Sequence, residues 1–200
     1  MKLFIHSFGC RVNQYEGEKI RQGFERGGFA ATDDWREADV CVINTCSVTD
    51  HAERDARVLL RKITDANPSS RVVVTGCWAS RDPGAIGKMF PQVTLVGNDG
   101  KENIPALFGC SMGLGDGRDA LGSFARHTRA FIKVQDGCNM RCAYCIVPVT
   151  RPAMSSRPPQ AVVAEISGMI ESGYREFVLC GVRLGRYWAR EGEGKMGRGG

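Results

Sequence analysis

Across residues 1–108, short apolar runs alternate with longer stretches whose apolar positions recur at helical spacing. Residues 2–8, KLFIHSF, read as a strand. The stretch NQYEGEKIRQGFERGG carries Tyr15, Ile20 and Phe24 on one side and closes on Gly27 and Gly28, which predicts a helix. Residues 39–45, DVCVINT, are a second strand. Residues 51–67 predict a second helix, with Ala52, Ala56, Leu59, Leu60 and Ile63 along one side and Pro68 just past its end. The run RVVVTG at 71–76 is apolar enough to be a parallel strand buried on both faces. A helix near 83–90 and a strand at VTLVG follow. The βαβα order predicts an α/β fold with a doubly wound parallel sheet over residues 1–108.

The pattern changes after Phe108. GCSMGLGDGRDALGS is polar and rich in glycine, so residues 109–129 are expected to form a linker. RAFIKVQDG then reads as a new strand, AVVAEISGMIESG as an amphipathic helix ended by glycine, and EFVLCG as the next strand. Residues 130–187 are thus expected to form one βαβ unit. The stretch 188–200 has neither period nor apolar content and is expected to be disordered.

Composition alters this picture little. The chain has 200 residues, 42% hydrophobic and 24% charged, as in an ordinary globular protein. No apolar run approaches the length of a membrane span. MKLFIHSFGC lacks the cleavage site of a secretory signal and reads as the first strand. A formal charge of +5 permits a nucleic-acid partner without arguing for one.

Cysteine changes it more. Nine cysteines without a secretory signal point away from a disulfide framework and toward metal or redox chemistry in a reducing compartment, so a cytoplasmic location is expected. Cys10, Cys46 and Cys77 each fall just beyond the apolar part of a strand, in FGC, NTC and TGC. The carboxyl ends of parallel strands share one sheet edge, where ligands bind, so these three thiols are expected to converge. Cys41, Cys110 and Cys180 read as buried structural cysteines.

The second set lies in DGCNMRCAYC, where Cys138, Cys142 and Cys145 follow a strand. Structural zinc normally takes four ligands, and an electron-transfer iron–sulfur cluster usually takes four thiolates. Three thiolates around a [4Fe-4S] cluster leave one iron open to a small molecule. An amino acid can chelate that iron through its amine and carboxylate, and Tyr144 is placed to shield or stack on such a ligand. Two other readings compete: a zinc site completed by Cys110, His127 or Cys180, and a dithiol redox pair in CAYC.

The loop resembles the signature of radical S-adenosylmethionine enzymes. Together with SFGCRVNQYEGE, INTCSVTDHAERDAR and VVVTGCWAS it is similar to the methylthiotransferases, from Met1 to about Tyr187. The resemblance implies that Cys138, Cys142 and Cys145 hold the [4Fe-4S] cluster that cleaves S-adenosyl-L-methionine in the first βαβ unit of a partial barrel. It implies that Cys10, Cys46 and Cys77 hold an auxiliary [4Fe-4S] cluster carrying the sulfur to be transferred. Gly181 falls where the family has a Thr-Gly pair near the cofactor. The implied substrate is tRNA, modified at carbon 2 of an adenine beside the anticodon, with an electron donor such as flavodoxin or ferredoxin.

FGCRVNQYE and NTCSVT look most like the branch acting on N6-threonylcarbamoyladenosine; the other branches act on isopentenyladenosine in tRNA or on an aspartate of a ribosomal protein. Two departures stand out. Pro152 follows Arg151 where the family usually has glycine, although Ser156, Arg157 and Pro158 are retained. The residues after Cys138 are also too few for a whole barrel, which takes roughly 200 or more. The sequence therefore reads as an N-terminal fragment, expected to be inactive alone. An iron–sulfur electron-transfer module and a zinc-binding module are the alternatives of another class.

Overall fold

The computed structural model of the chain describes residues 1–110, 121 and 128–187, which fall into two compact units, Met1–Met112 and Gly113–Gly200.

In the first unit the chain runs through β1 (Lys2–Ser7), α1 (Arg11–Arg26), β2 (Ala30–Ala31), β3 (Val40–Thr45), α2 (Asp50–Ala66), β4 (Arg71–Gly76), α3 (Cys77–Arg81), α4 (Pro83–Met89) and β5 (Thr94–Val96). Three 3₁₀ turns, Trp35–Glu37, Asn98–Asn103 and Pro105–Phe108, complete its described residues. Every strand pair is parallel, in the order β2-β1-β3-β4-β5. Alternation along the strands separates two cores. Phe4, Cys41, Ile43, Val72 and Val74 pack with Ala56, Leu60 and Ile63 of α2, Trp78 of α3 and Ile86 of α4. Leu3, Val40, Val42 and Val73 pack with Ile20 and Phe24 of α1 and with Ile104. Both faces of the sheet are therefore covered, as the unbroken apolar run of β4 requires.

The strand order fixes where a site can lie. The chain winds outward from β1 to β2 and then returns past β1 to place β3 on its other side. At that reversal α1 and α2 leave on opposite faces, and the carboxyl ends of β1 and β3 border a crevice.

Three features differ from the sequence reading. β2 is two residues long, too short to show any alternation. Residues 77–81, to which the sequence reading gave no element, form α3. The expected linker, 109–129, begins too early: Cys110 is buried in the second core, its sulfur lying where a Cβ on Gly27 would be. Most of that stretch, with His127 and the expected tail 188–200, lies outside the described residues.

The second unit contains β6 (Arg129–Asp136), α5 (Val147–Thr150), β7 (Ser155–Ser156), α6 (Pro159–Glu171) and β8 (Glu176–Gly181). β8 pairs parallel to β6, with α6 as the crossover, and the short β7 pairs antiparallel on the other side of β6. Glu165 of α6 is fully buried, where it pairs with Arg157 and accepts from the Leu121 amide. No helix among the described residues is long and apolar enough to cross a membrane.

Candidate metal centres

Cys10, Cys46 and Cys77 follow the carboxyl ends of β1, β3 and β4, three neighbouring strands. Register aligns these ends, since Ser7 lies opposite Asn44 and Asn44 opposite Thr75. Two of the cysteines are delivered by the same device, a Gly-Cys pair at a sharp strand-to-helix turn. Gly9 at φ 82° sets Cys10 at the N-cap of α1, and Gly76 at φ 98° makes Cys77 the first residue of α3. Positive φ comes without strain only to glycine, and neither position has room for a side chain. A Cβ on Gly9 would collide with Cys46 Sγ, and one on Gly76 with the Thr45 backbone.

The three thiols meet different surroundings. Cys10 is exposed, while Cys46 and Cys77 are buried. Burial pushes the Cys46 thiol up, the amides of Val48 and Cys10 oppose this by donating to its sulfur, and thiolate charge on Cys10 and Cys77 adds to the upward push. Cys46 therefore senses both other thiols. The Val48 amide lies 3.4 Å from Cys46 Sγ, and Asn98 Nδ2 lies 3.8 Å from Cys77 Sγ.

Around these sulfurs the strand ends are polar yet buried. Asn13, in the first turn of α1, is 0% exposed. Its Nδ2 donates to the carbonyls of Phe8 at 3.1 Å and Thr45 at 2.7 Å, while its own carbonyl accepts from Asn44 Nδ2 at 2.7 Å. Lys101, 2% exposed, reaches Asn13 Oδ1 at 3.4 Å and Glu16 Oε2 at 2.7 Å. Asn44 Oδ1, Ser47 Oγ and Thr75 Oγ1 are buried with no hydrogen-bond partner among the described residues. Sequence reading found the cysteines and missed this scaffold. The available signal was Asn13 and Glu16, three residues apart on one helix face just after Cys10.

Cys138, Cys142 and Cys145 lie together in the loop between β6 and α5, Cys138 buried and the other two half-buried. The base of this loop is tied closed. The Cys138 amide donates to the Arg151 carbonyl at 3.0 Å, and the Arg151 guanidinium pairs with both oxygens of Asp136 at 2.8 and 2.9 Å. Lys133 joins Asp136 at 2.9 Å. Gln135 spans the carbonyls of Asp136 and Gly137 and accepts the Arg183 amide at 2.6 Å. Arg151 makes these contacts through its carbonyl and guanidinium, and its own amide donates to the Val147 carbonyl at 2.8 Å, so none of them needs an amide at Pro152.

Of the other residues singled out from sequence, Tyr144 is 92% exposed beside Cys145. Gly181 ends β8 so close to Gln135 that a Cβ would lie 2.9 Å from the Gln135 Cβ, so packing alone accounts for it. Cys41, Cys110 and Cys180 are all buried.

Both thiol sets have the donor chemistry of iron–sulfur ligands. Among the described residues no three His, Cys, Asp or Glu side chains come close enough to hold a single metal ion. A cluster that takes one thiolate per iron asks for a wider triangle than a lone tetrahedral ion does. The orphaned polar atoms of Asn44, Ser47 and Thr75 at the same sheet edge also suit a site built to surround a polar group.

Comparison with known proteins adds the following. Residues 2–97 match the family described as Uncharacterized protein family UPF0004. The chain is 41% identical over 181 residues to "Threonylcarbamoyladenosine tRNA methylthiotransferase MtaB" of Chlamydia pneumoniae, covering 90% of this chain and 42% of that protein. It is 33% identical over 200 residues to the protein of the same name from Bacillus subtilis, covering 92% of this chain and 44% of that one. It is 32% identical over 206 residues to "tRNA-2-methylthio-N(6)-dimethylallyladenosine synthase" of Christiangramia forsetii, covering 93% and 42%. The chain thus spans less than half the length of these relatives.

Proposed function

We propose that this chain is the cluster-bearing portion of a radical S-adenosylmethionine tRNA methylthiotransferase, a reading supported by the match of residues 2–97 to the UPF0004 family and by the likeness to relatives named as tRNA methylthiotransferases. The substrate is N6-threonylcarbamoyladenosine beside the anticodon, a choice supported by the 41% identity to a relative named for that nucleoside against 32% to one named for the dimethylallyl type. The observation that carries the reading is the placement of Cys10, Cys46 and Cys77 at the carboxyl ends of three adjacent parallel strands.

In this reading Cys10, Cys46 and Cys77 hold one [4Fe-4S] cluster, and Cys138, Cys142 and Cys145 hold the other. With S-adenosylmethionine bound, the clusters supply reductive cleavage and a sulfur source, which reach an aromatic C–H bond too inert for acid–base chemistry. The chain's own groups do the remaining work. Buried surroundings keep water from Cys46 and Cys77. The tie of Asp136 to Arg151 fixes the base of the second loop, so its three thiols are presented together. Tyr144 offers a free ring beside Cys145 for the bound cofactor. A flavodoxin or ferredoxin in the cytoplasm is the proposed reductant. These 200 residues by themselves are expected to cleave S-adenosylmethionine slowly and without transfer to RNA, since a barrel site draws on many strand ends and β6 and β8 supply two.

Anaerobic reconstitution with iron and sulfide tests the assignment. The chain should turn brown and bind two clusters. Replacing either cysteine triad by alanine should remove one cluster and leave the other. A colourless protein with stoichiometric zinc would overturn the reading. Reduced reactions with threonylcarbamoyladenosine-containing tRNA, digested to nucleosides for mass spectrometry, test the transfer step; methylthio product at multiple turnovers would refute the expected inactivity of these residues alone.

A further inference from the structure

The 3₁₀ turn Asn98–Asn103 lies just beyond residues 2–97, the part matched by the family, yet it reaches every arm of the first cysteine site. Asn98 is seated by its own amide, which donates to Ser80 Oγ at 2.8 Å, and its side chain points a donor at Cys77 Sγ, 3.8 Å away. Three residues on, Lys101 is buried and offers a donor to Asn13 Oδ1.

The consequence for Asn13 follows from its chemistry. An amide side chain has one accepting end and one donating end, and either can face a given neighbour unless something selects. Lys101 has only donors and the Phe8 and Thr45 carbonyls only accept, so the lysine reinforces from the oxygen side the sense that the two carbonyls demand from the nitrogen side. The two N–H groups then face the Phe8 and Thr45 carbonyls, as observed. Those carbonyls belong to the backbone immediately before Gly9-Cys10 and immediately before Cys46. A single amide thus ties together the two strand ends that border the crevice, and a lysine from a distant turn braces it in that sense. Glu16, 2.7 Å from Lys101, balances the buried charge.

We propose that the Asn98–Asn103 turn is a positioning element for the three-thiol site. Lys101 acts through Asn13 to hold the Cys10 and Cys46 arms, and Asn98 acts on the Cys77 sulfur. The significance of this role rests on the reading of these thiols as cluster ligands, but the geometry itself can be tested without metal.

The variants separate positioning from mere charge balance. Lys101→Met leaves Glu16 buried without its cation, a change that can unfold the chain for reasons unrelated to the site. The double variant Lys101→Met/Glu16→Leu removes that problem and still deprives Asn13 of its bracing donor. In the metal-free 200-residue chain, alkylation of Cys46 followed by peptide mass mapping is the readout, with circular dichroism to establish that the double variant is folded. Alkylation at Cys46 in the folded double variant should be at least several-fold faster than in the parent, with Cys41 unchanged. Equal Cys46 rates in parent and folded double variant would overturn the role of Lys101, and so would a double variant that cannot fold when Asn13→Leu, which removes the same tie, folds with Cys46 protected as in the parent.

For Asn98, the chain carrying Cys138, Cys142 and Cys145 as alanine is reconstituted so that only the first site reports. If this parent binds no cluster, the cluster reading fails while the alkylation result stands. If it does, Asn98→Ala should shift the midpoint potential downward, because a hydrogen bond to a ligating sulfur stabilises the reduced state. An unchanged potential would remove Asn98 from the proposal.

Discussion

A hydrogen atom in place of a methyl group at Gly9 decides where Cys46 can lie. The backbone there has φ 82°, and a Cβ would be driven into the Cys46 sulfur. Gly9→Ala is expected to cost about 1–3 kcal/mol, read from urea unfolding, and to lower the iron retained after reconstitution. An unchanged unfolding midpoint would count against the close approach. The thiols themselves should be distinguishable by pH. Cys41 is buried within β3, and burial pushes its thiol up against a weaker downward pull from the Ser70 hydroxyl, whereas Cys10 is exposed. Alkylation proceeds through the thiolate, so a raised pKa moves its onset to higher pH. In the native metal-free chain exposed Cys10 should be alkylated before buried Cys41, and the Cys41 rate should keep rising with pH beyond the ordinary thiol range of about 8.5. Equal rates in peptide mapping would contradict this. At this scale the cysteines were legible because a strand followed by a thiol is a local pattern. The Asn13–Lys101 contact was not, since the two residues stand 88 positions apart and neither carries a motif.

Elements were legible in proportion to their length. α1 and α2 declared themselves by period, and β3 and β4 by unbroken apolar runs that only a sheet covered on both faces tolerates. β2 and β7, two residues each, are strands only because a neighbour pairs with them. The five residues of α3 were hidden for another reason: the turn that starts it depends on Gly76 adopting a positive φ, which the sequence permits but does not announce. The structure starts α2 at Asp50, one residue before the sequence reading, with Thr49 as its cap, whose hydroxyl accepts from the Ala52 amide at 3.3 Å. Thr49→Ala should therefore destabilise the first unit by about 1 kcal/mol, while Thr49→Ser should be nearly neutral. Urea unfolding of the three proteins side by side measures it. An alanine variant as stable as the parent would show that this cap contributes nothing.

For the molecule as a whole, the two units have separate sheets, and among the described residues the cores of Met1–Met112 are built from residues of that unit. Residues 1–112 expressed by themselves are accordingly expected to unfold in one cooperative urea transition with α/β circular dichroism. A broad, non-cooperative loss would mean that this core depends on the remainder. The sequence placed the boundary a few residues early because a glycine beside a cysteine reads as linker, and only the packing of Cys110 against Gly27 marks it as the last piece of the core. One feature of the first site also bears on how it would be filled. Cys46 and Cys77 are enclosed, and of the three thiols Cys10 is the exposed one, so among the described residues the open side of the site is the Cys10 side. Whatever delivers iron and sulfide must arrive past Cys10 while the two inner thiols wait in place. If the three thiols hold a cluster as proposed, Cys10 is expected to be the last of them to close during assembly and the first to meet an oxidant. The same doorway would serve departure, so the side from which the site is built is also the side from which it would be robbed.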